Sequence, residues 1–173
     1  MMPQRLQREE YLKKLIAFQD KNIIKIITGI RRCGKSTLME IFQDHLRSTG
    51  VENSQILHIN FEDFDYRPLR DPAALHSYIT ERMARDRMTY VFLDEIQHVP
   101  DWQDVVDSLH LRKNLDIYIT GSNAYLLSSE IATLISGRYV EIKMLPLSFR
   151  EFVSATGSEA NLPKAYRQYV ESS

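Results

Sequence analysis

The sequence has one cysteine, no apolar run approaching transmembrane length and no surplus of charge of either sign. A lone Cys33 excludes an internal disulfide and is expected of a reducing cytoplasm. With no long apolar run there is no candidate membrane span, and the opening Met1-Met2-Pro3-Gln4-Arg5 is polar, without the apolar stretch of a secretory leader. Lys and Arg number 22 against 23 Asp and Glu, a formal net charge of −1, so no global field favours nucleic acid or an anionic membrane, though a local basic patch stays open. No internal repeat or low-complexity tract divides the chain. What is present is 173 residues, 43% hydrophobic and 26% charged: enough for one domain with a sizeable core.

Along that domain β-type and helical patterns alternate. An apolar run, Ile23 to Ile27, precedes a segment, Lys35 to Arg47, that sets Leu38, Ile41, Phe42 and Leu46 on one helical face. Gly50 breaks the chain, and Gln55 to Phe61 reads as a second buried strand. Asp71-Pro72 has the form of an N-cap with proline at the first helical position, opening a helix to about Arg85. Tyr90 to Glu95 is a strand ending in two carboxylates, followed by a helix with Trp102, Val105, Val106 and Leu109 on one stripe; that stripe marks Trp102 for the core rather than for stacking on a base. Asp116 to Thr120, a short helix over Ala124 to Ile135, and Tyr139 to Met144 complete the series. Five strands alternating with helices predict an α/β fold, a parallel sheet covered on both faces. Residues 1–20 are expected to be a helical lead-in, 21–153 the core, and 154–173 a polar tail or the start of a further helical element.

Three segments carry chemistry. Gly29-Ile30-Arg31-Arg32-Cys33-Gly34-Lys35-Ser36 lies between a strand and a helix, the context of a Walker A phosphate loop. Its glycines let backbone N–H groups and the following helix N-terminus face an anion. Lys35 then supplies a point charge to β- and γ-phosphates, and the Ser36 hydroxyl a ligand for Mg²⁺, with Thr37 next in line. Val91-Phe92-Leu93-Asp94-Glu95 is a Walker B pattern: Asp94 orients Mg²⁺ and Glu95 polarises the attacking water. At the end of the fourth strand, Asn123, with Ser122 second, is placed to contact a γ-phosphate or that water; a Gly-Ser-Asn turn capping the next helix is the alternative.

Other residues carry two readings each. Arg31 and Arg32 either favour phosphate by charge or are spacers facing solvent. Cys33, beside a helix N-terminus and Lys35, is either a reactive thiol or a position that needs a small side chain. The histidines at 45, 58, 76, 98 and 110 have no ligand-like spacing, so no zinc site is expected.

With these motifs in place the sequence resembles the AAA+ superfamily, and within it bacterial and archaeal ATPases whose loop reads Gly-Ile-Arg-Arg-x-Gly-Lys-Ser-Thr. The resemblance rests on Gly29 to Thr37, Phe92 to Gln97 with Trp102 downstream, Thr120 to Asn123, Ser136 to Tyr139, and Leu145-Pro146-Leu147-Ser148-Phe149-Arg150-Glu151-Phe152. It implies a three-layer P-loop NTPase with a five-stranded parallel sheet in the order 5-1-4-3-2, with ATP and Mg²⁺ as ligands and Asn123 at the sensor 1 position. Arg138 resembles the arginine finger that reaches a neighbour's γ-phosphate, which implies a homo-oligomer; an ordinary salt bridge is the other reading. The family usually continues into a helical lid with a sensor 2 arginine and then a separate domain, so the lid is expected to be largely absent, and Arg167 is assigned no sensor role. No guanine-reading Asn-Lys-x-Asp run appears, and no residue identifies a protein or DNA partner. Three functions stay open: an Mg²⁺-dependent ATPase, a nucleotide-binding switch with little hydrolysis, and a P-loop kinase.

Overall fold

A strand buried on both faces needs apolar side chains on both, and the computed structural model, which describes residues 8–121, 126 and 137–172, has three such strands. β1 (Ile24–Thr28), β3 (Thr89–Asp94) and β4 (Leu115–Gly121) are buried along their whole length. β2 (Ile56–Asn60) and β5 (Tyr139–Lys143) are partly exposed and form the edges. The order is β2-β3-β4-β1-β5 with every pair parallel, which is the expected 5-1-4-3-2 read from the other edge. Parallel pairing brings all the carboxyl ends to one side, where Asn60 pairs with Asp94 and Thr28 with Gly121.

The period of two along each strand divides the core. Val91, Leu93, Ile117 and Ile119 face one layer, which is filled by Leu75 and Ile79 of α3 (Pro72–Arg82) and by Trp102, Val105, Val106 and Leu109 of α4 (Trp102–His110). Tyr90, Phe92 and Tyr118 face the other, against Tyr11 and Leu15 of α1 (Glu9–Phe18) and Leu38, Met39, Phe42 and Leu46 of α2 (Lys35–Ser48). Phe92 and Tyr118 stack at 4.9 Å between centroids, and Phe42 lies 5.0 Å from Tyr118. Trp102 is therefore a core residue.

Most boundaries differ from the pattern-based expectation by a residue, as β1 does at Ile24–Thr28, and α3 and β3 show the physical reasons. α3 starts where Asp71 was expected to cap it, with the carboxylate accepting from Ala74 N at 2.8 Å. It ends at Arg82 rather than Arg85: Met83 is extended, and Ala84 N donates to Thr89 Oγ1 at 2.8 Å, which turns the chain back into β3. Glu95 does not continue β3, because its backbone turns to φ 57, ψ 51. The expected helix over 124–135 lies outside the described residues, apart from Leu126, which is buried in the α3–α4 layer. Past β5, a Ser148–Glu151 capping box starts α5 (Phe149–Thr156), Gly157 at φ 62 ends it, and α6 (Leu162–Ser172) returns over it, so the segment expected as a polar tail or the start of a helical element is largely helical. Phe149 meets Tyr166 at 5.4 Å and Phe152 meets Tyr169 at 5.5 Å. Among the described residues no helix is long and apolar enough to cross a membrane.

Candidate functional site

The segment between β1 and α2 folds tightly for reasons of size. A Cβ on Gly29 would come within 2.6 Å of Cys33 Sγ and 2.7 Å of Met144 O, so no larger residue fits. Gly34 precedes α2 at φ 95, a left-handed conformation that glycine adopts without strain. Having no side chain, it offers no cap to the first N–H groups of α2, which stay available to an anion. Arg32 adopts φ 67 without glycine's freedom, a sparsely populated conformation held by the surrounding turn. Lys35 is 4% exposed and donates to Gly29 O at 3.3 Å and Ile30 O at 3.2 Å. A cleft of about 330 Å³ opens over this loop, lined by Arg31, Arg32, Gly34, Lys35, Ser36, Thr37, Glu62 and Glu95.

The two carboxylates at the end of β3 have different surroundings. Asp94 is 1% exposed; its Oδ1 accepts from the Thr120 hydroxyl, and its Oδ2 is buried with no hydrogen-bond partner among the described residues. A buried carboxylate oxygen left without a donor is costly unless something else satisfies it, and a hard cation is such a partner. Among the described residues no three or more of His, Cys, Asp and Glu gather as a metal cage, so a divalent ion here would need phosphate oxygens beside Asp94 and Ser36. Glu95, turned out of the strand, lies with Oε1 3.6 Å from Lys35 Nζ and with Oε2 accepting from Gln97 Nε2 at 2.5 Å. Its N–H donates to Thr120 Oγ1 at 3.0 Å, so a single hydroxyl aligns both acids.

The structure thus brings Lys35, Ser36, Thr37, Glu95 and the backbone around Gly34 to one cleft, with Asp94 beside Thr120 beneath Glu95. Arg31 is exposed and pairs with Glu62 at 3.4 Å, so its charge is partly taken up. Cys33 is buried, and its sulfur stands where a Cβ on Gly29 would meet it. Ile30 is exposed, and its carbonyl is one of the Lys35 acceptors. Arg138 is not in this cleft; it pairs with Asp107 of α4 at the surface, while its carbonyl accepts from Ile24 N at 2.8 Å. Ser122 and Asn123 lie outside the described residues.

Three neighbours of the site escaped the sequence reading. Thr120 was legible only as part of a strand end, yet a hydroxyl at the carboxyl end of the strand beside Asp94 was the available signal. Glu62 follows the end of β2, where Asn60 Oδ1 accepts its N–H at 2.9 Å; an Asn-Phe-Glu strand end was again the clue. Arg8 had no local signal at all. It borders a smaller, largely apolar cavity of about 160 Å³ on the far side of the loop, with Cys33, Gly34, Thr37, Leu38, Ile41 and Leu147. On edge strand β2, His58 Nδ1 accepts from Gln43 Nε2 of α2 at 3.0 Å, His58 Nε2 is buried without a partner among the described residues, and burial holds this imidazole below its usual range.

Residues 21–153 match a family model described as an AAA domain. An uncharacterized protein of Haemophilus influenzae is 45% identical over 168 residues, covering 95% of this chain and 42% of that protein. One of Methanocaldococcus jannaschii is 36% identical over 135 residues, covering 76% of this chain and 28% of that protein. The chain therefore spans less than half the length of either relative. Among solved structures, Hsp104 with ATPγS and FITC-casein superposes with a TM-score of 0.64 at 15% identity, over 87% of this chain and 28% of that one. The Aeropyrum pernix ORC1 protein in complex with DNA superposes with a TM-score of 0.61 at 16% identity, over 92% of this chain and 50% of that one. At such identities the likeness is one of fold.

Proposed function

The chain belongs to this family of AAA domains, and from that premise we propose that it binds Mg-ATP and hydrolyses the β–γ phosphoanhydride. The observation that carries the proposal is Asp94 Oδ2, buried without a hydrogen-bond partner among the described residues, next to a cleft in which Lys35 and Glu95 stand 3.6 Å apart. That arrangement suits a phosphate chain on the loop, a divalent ion satisfying Asp94, and a base facing the terminal phosphoryl group.

In this reading the backbone from Ile30 to Thr37 and the Lys35 ammonium bind the phosphates, and the apolar cavity bounded by Leu38, Ile41 and Leu147 receives the adenine ring. Ser36 and Asp94 would hold Mg²⁺, which when bound supplies charge neutralisation on the β- and γ-oxygens. Glu95 takes a proton from water as the water oxygen attacks the γ-phosphorus; the bond from that phosphorus to the β–γ bridging oxygen breaks, leaving ADP and inorganic phosphate. Asn123 and Ser122 are proposed to hydrogen-bond the γ-phosphate or the attacking water. Arg138 is proposed to exchange Asp107 for the γ-phosphate of a neighbouring copy, stabilising transition-state charge. An ATP-dependent domain with one free cysteine fits the cytoplasm.

A second reading, a nucleotide-binding switch with slow turnover, draws on one observation: both oxygens of Glu95 are engaged, by Lys35 and by Gln97. Titration with ATP and a phosphate-release assay separate the two. Saturable Mg²⁺-dependent ATP binding that Lys35→Ala abolishes, together with steady phosphate release, is expected of the ATPase. Binding without release favours the switch, and the absence of binding rules out both.

A further inference from the structure

Arg8 sits just before α1 with a side chain only 7% exposed, and its guanidinium reaches stretches far apart in sequence. Nη1 donates to Cys33 O in the phosphate loop at 3.0 Å and to Leu145 O at 2.8 Å. Nη2 donates to Pro146 O at 3.4 Å, and Nε to Glu151 Oε1 at 3.3 Å. The guanidinium carbon lies 4.7 Å from the centre of the Tyr11 ring, and the Tyr11 hydroxyl accepts from Leu145 N at 3.2 Å. Glu151 is also the acid of the capping box that starts α5. One planar side chain thus grips the loop after β1, the chain leaving β5, and the first turn of α5.

The consequence lies in peptide geometry. In a trans peptide the C=O of one residue and the N–H of the next point in opposite directions. With the Cys33 carbonyl held by Arg8, the Gly34 N–H is directed away from Arg8, and Gly34 lines the phosphate cleft on one side and the apolar cavity bordered by Arg8 on the other. Gly34, at φ 95 and without a Cβ, presents little steric resistance to rotation of that peptide. A rigid five-donor fork is suited to hold several carbonyls and a carboxylate at once, which a lysine cannot do.

We propose that Arg8 is a positioning residue that holds the Cys33–Gly34 peptide in its phosphate-binding orientation and ties that orientation to the α5–α6 pair. A triphosphate on the loop and the seating of α5 and α6 then favour one another, and the coupling acts equally in both directions. The ligand side of this inference rests on the ATP reading above; the clasp itself does not.

The test uses the whole chain and compares Arg8→Ala, Arg8→Lys and Glu151→Ala, well below their melting temperatures, by amide hydrogen exchange and ATP titration. Arg8→Ala is expected to speed exchange in both 29–37 and 145–152 and to weaken ATP binding about tenfold to a hundredfold, the effect of losing a charged hydrogen bond at this place. Arg8→Lys, the variant to use if alanine does not fold, is expected to restore neither. Glu151→Ala is expected to speed exchange in 145–152 alone and to leave ATP affinity near that of the unmodified protein. ATP should slow exchange in 145–172 of the unmodified protein and not of Arg8→Ala. If Arg8→Ala only lowers the melting temperature, as Glu151→Ala does, with 29–37 and ATP affinity unchanged, Arg8 is a structural staple and the proposal fails. If the unmodified protein binds no ATP while Arg8→Ala still loosens 29–37, the ATP reading falls and the clasp stands.

Discussion

Thr120 on β4 donates its hydroxyl proton to Asp94 Oδ1 on β3, and Thr120 Oγ1 itself accepts the Glu95 N–H at 3.0 Å. One side chain therefore sets the orientation of both acids at the strand ends. Its contact with Asp94 also leaves Asp94 Oδ2 as the oxygen without a donor among the described residues. Thr120→Val keeps the shape but removes this donor and acceptor, so Asp94 loses its Oδ1 partner. The expected loss is about 1–3 kcal/mol of stability, read as a lower urea midpoint. Phosphate release should fall as well, and Thr120→Ser should recover most of both.

The proposed mechanism gives Glu95 a different role from Lys35, although the two are in contact. Glu95→Gln removes the proposed base and keeps the size, so ATP affinity is expected to hold or rise slightly, because a carboxylate that would compete with phosphate for Lys35 is gone. Turnover should drop by about 10²–10⁴, the usual worth of a positioned general base. Steady-state phosphate release and equilibrium binding measured on the same preparation check both halves. A Glu95→Gln protein that turns over normally would remove Glu95 from the mechanism.

Arg138 pairs with Asp107 rather than with any residue lining the cleft of its own chain. If it serves a neighbour, Arg138→Ala protein has a complete cleft but no finger to offer, and Lys35→Ala protein has a finger but no usable cleft. Mixing the two should then release phosphate faster than the sum of the separate samples, increasingly so as concentration rises. A mixture that merely adds leaves Arg138 with its surface salt bridge.

Stability should depend on pH through two histidines. Burial, the larger cause in each case, holds both His58 and His110 below their ordinary 6.5, with the Arg138 charge adding to the effect at His110. The unfolded chain then binds these protons more readily than the folded one, so their contribution is complete above 6.5 and is lost as the pH falls below it. Urea midpoints measured at intervals from pH 7.5 to 5 should decline, and His58→Gln, which keeps a polar group beside Gln43, should flatten the decline.

Much of this protein is written locally. The alternation of β-type runs with amphipathic helices gave the five strands, because burial on a sheet face and on a helix face imposes its own period on contiguous residues. The Gly29–Ser36 loop and the Asp94-Glu95 strand end were legible for the same reason, since each is a short run recognisable by its spacing. Less legible was Lys25, a charged residue within an apolar run; it is buried against Asp116, with Tyr118 and the Asp20 N–H completing the acid's partners. Burial lowers the Lys25 ammonium and raises the Asp116 carboxyl from their ordinary values. No pattern on β1 alone could supply that partner, because Asp116 reaches it only once β4 has been laid beside β1.

The same division runs through the site. By itself the sequence singled out Gly29, Gly34, Lys35 and Ser36, the residues proposed to hold phosphate and metal, because their candidacy rests on local backbone geometry and side-chain type. Only the tertiary structure decided what restrains them: Thr120 on Asp94, Gln97 and Lys35 on Glu95, Glu62 at the rim, and Arg8 behind Cys33. Thr120 and Asp94 are 26 positions apart and Arg8 and Cys33 are 25 apart, and Arg8 also reaches Glu151, 143 positions away. Such contacts depend on strand order and on the packing of α1 and α5, which exist only after the chain has folded.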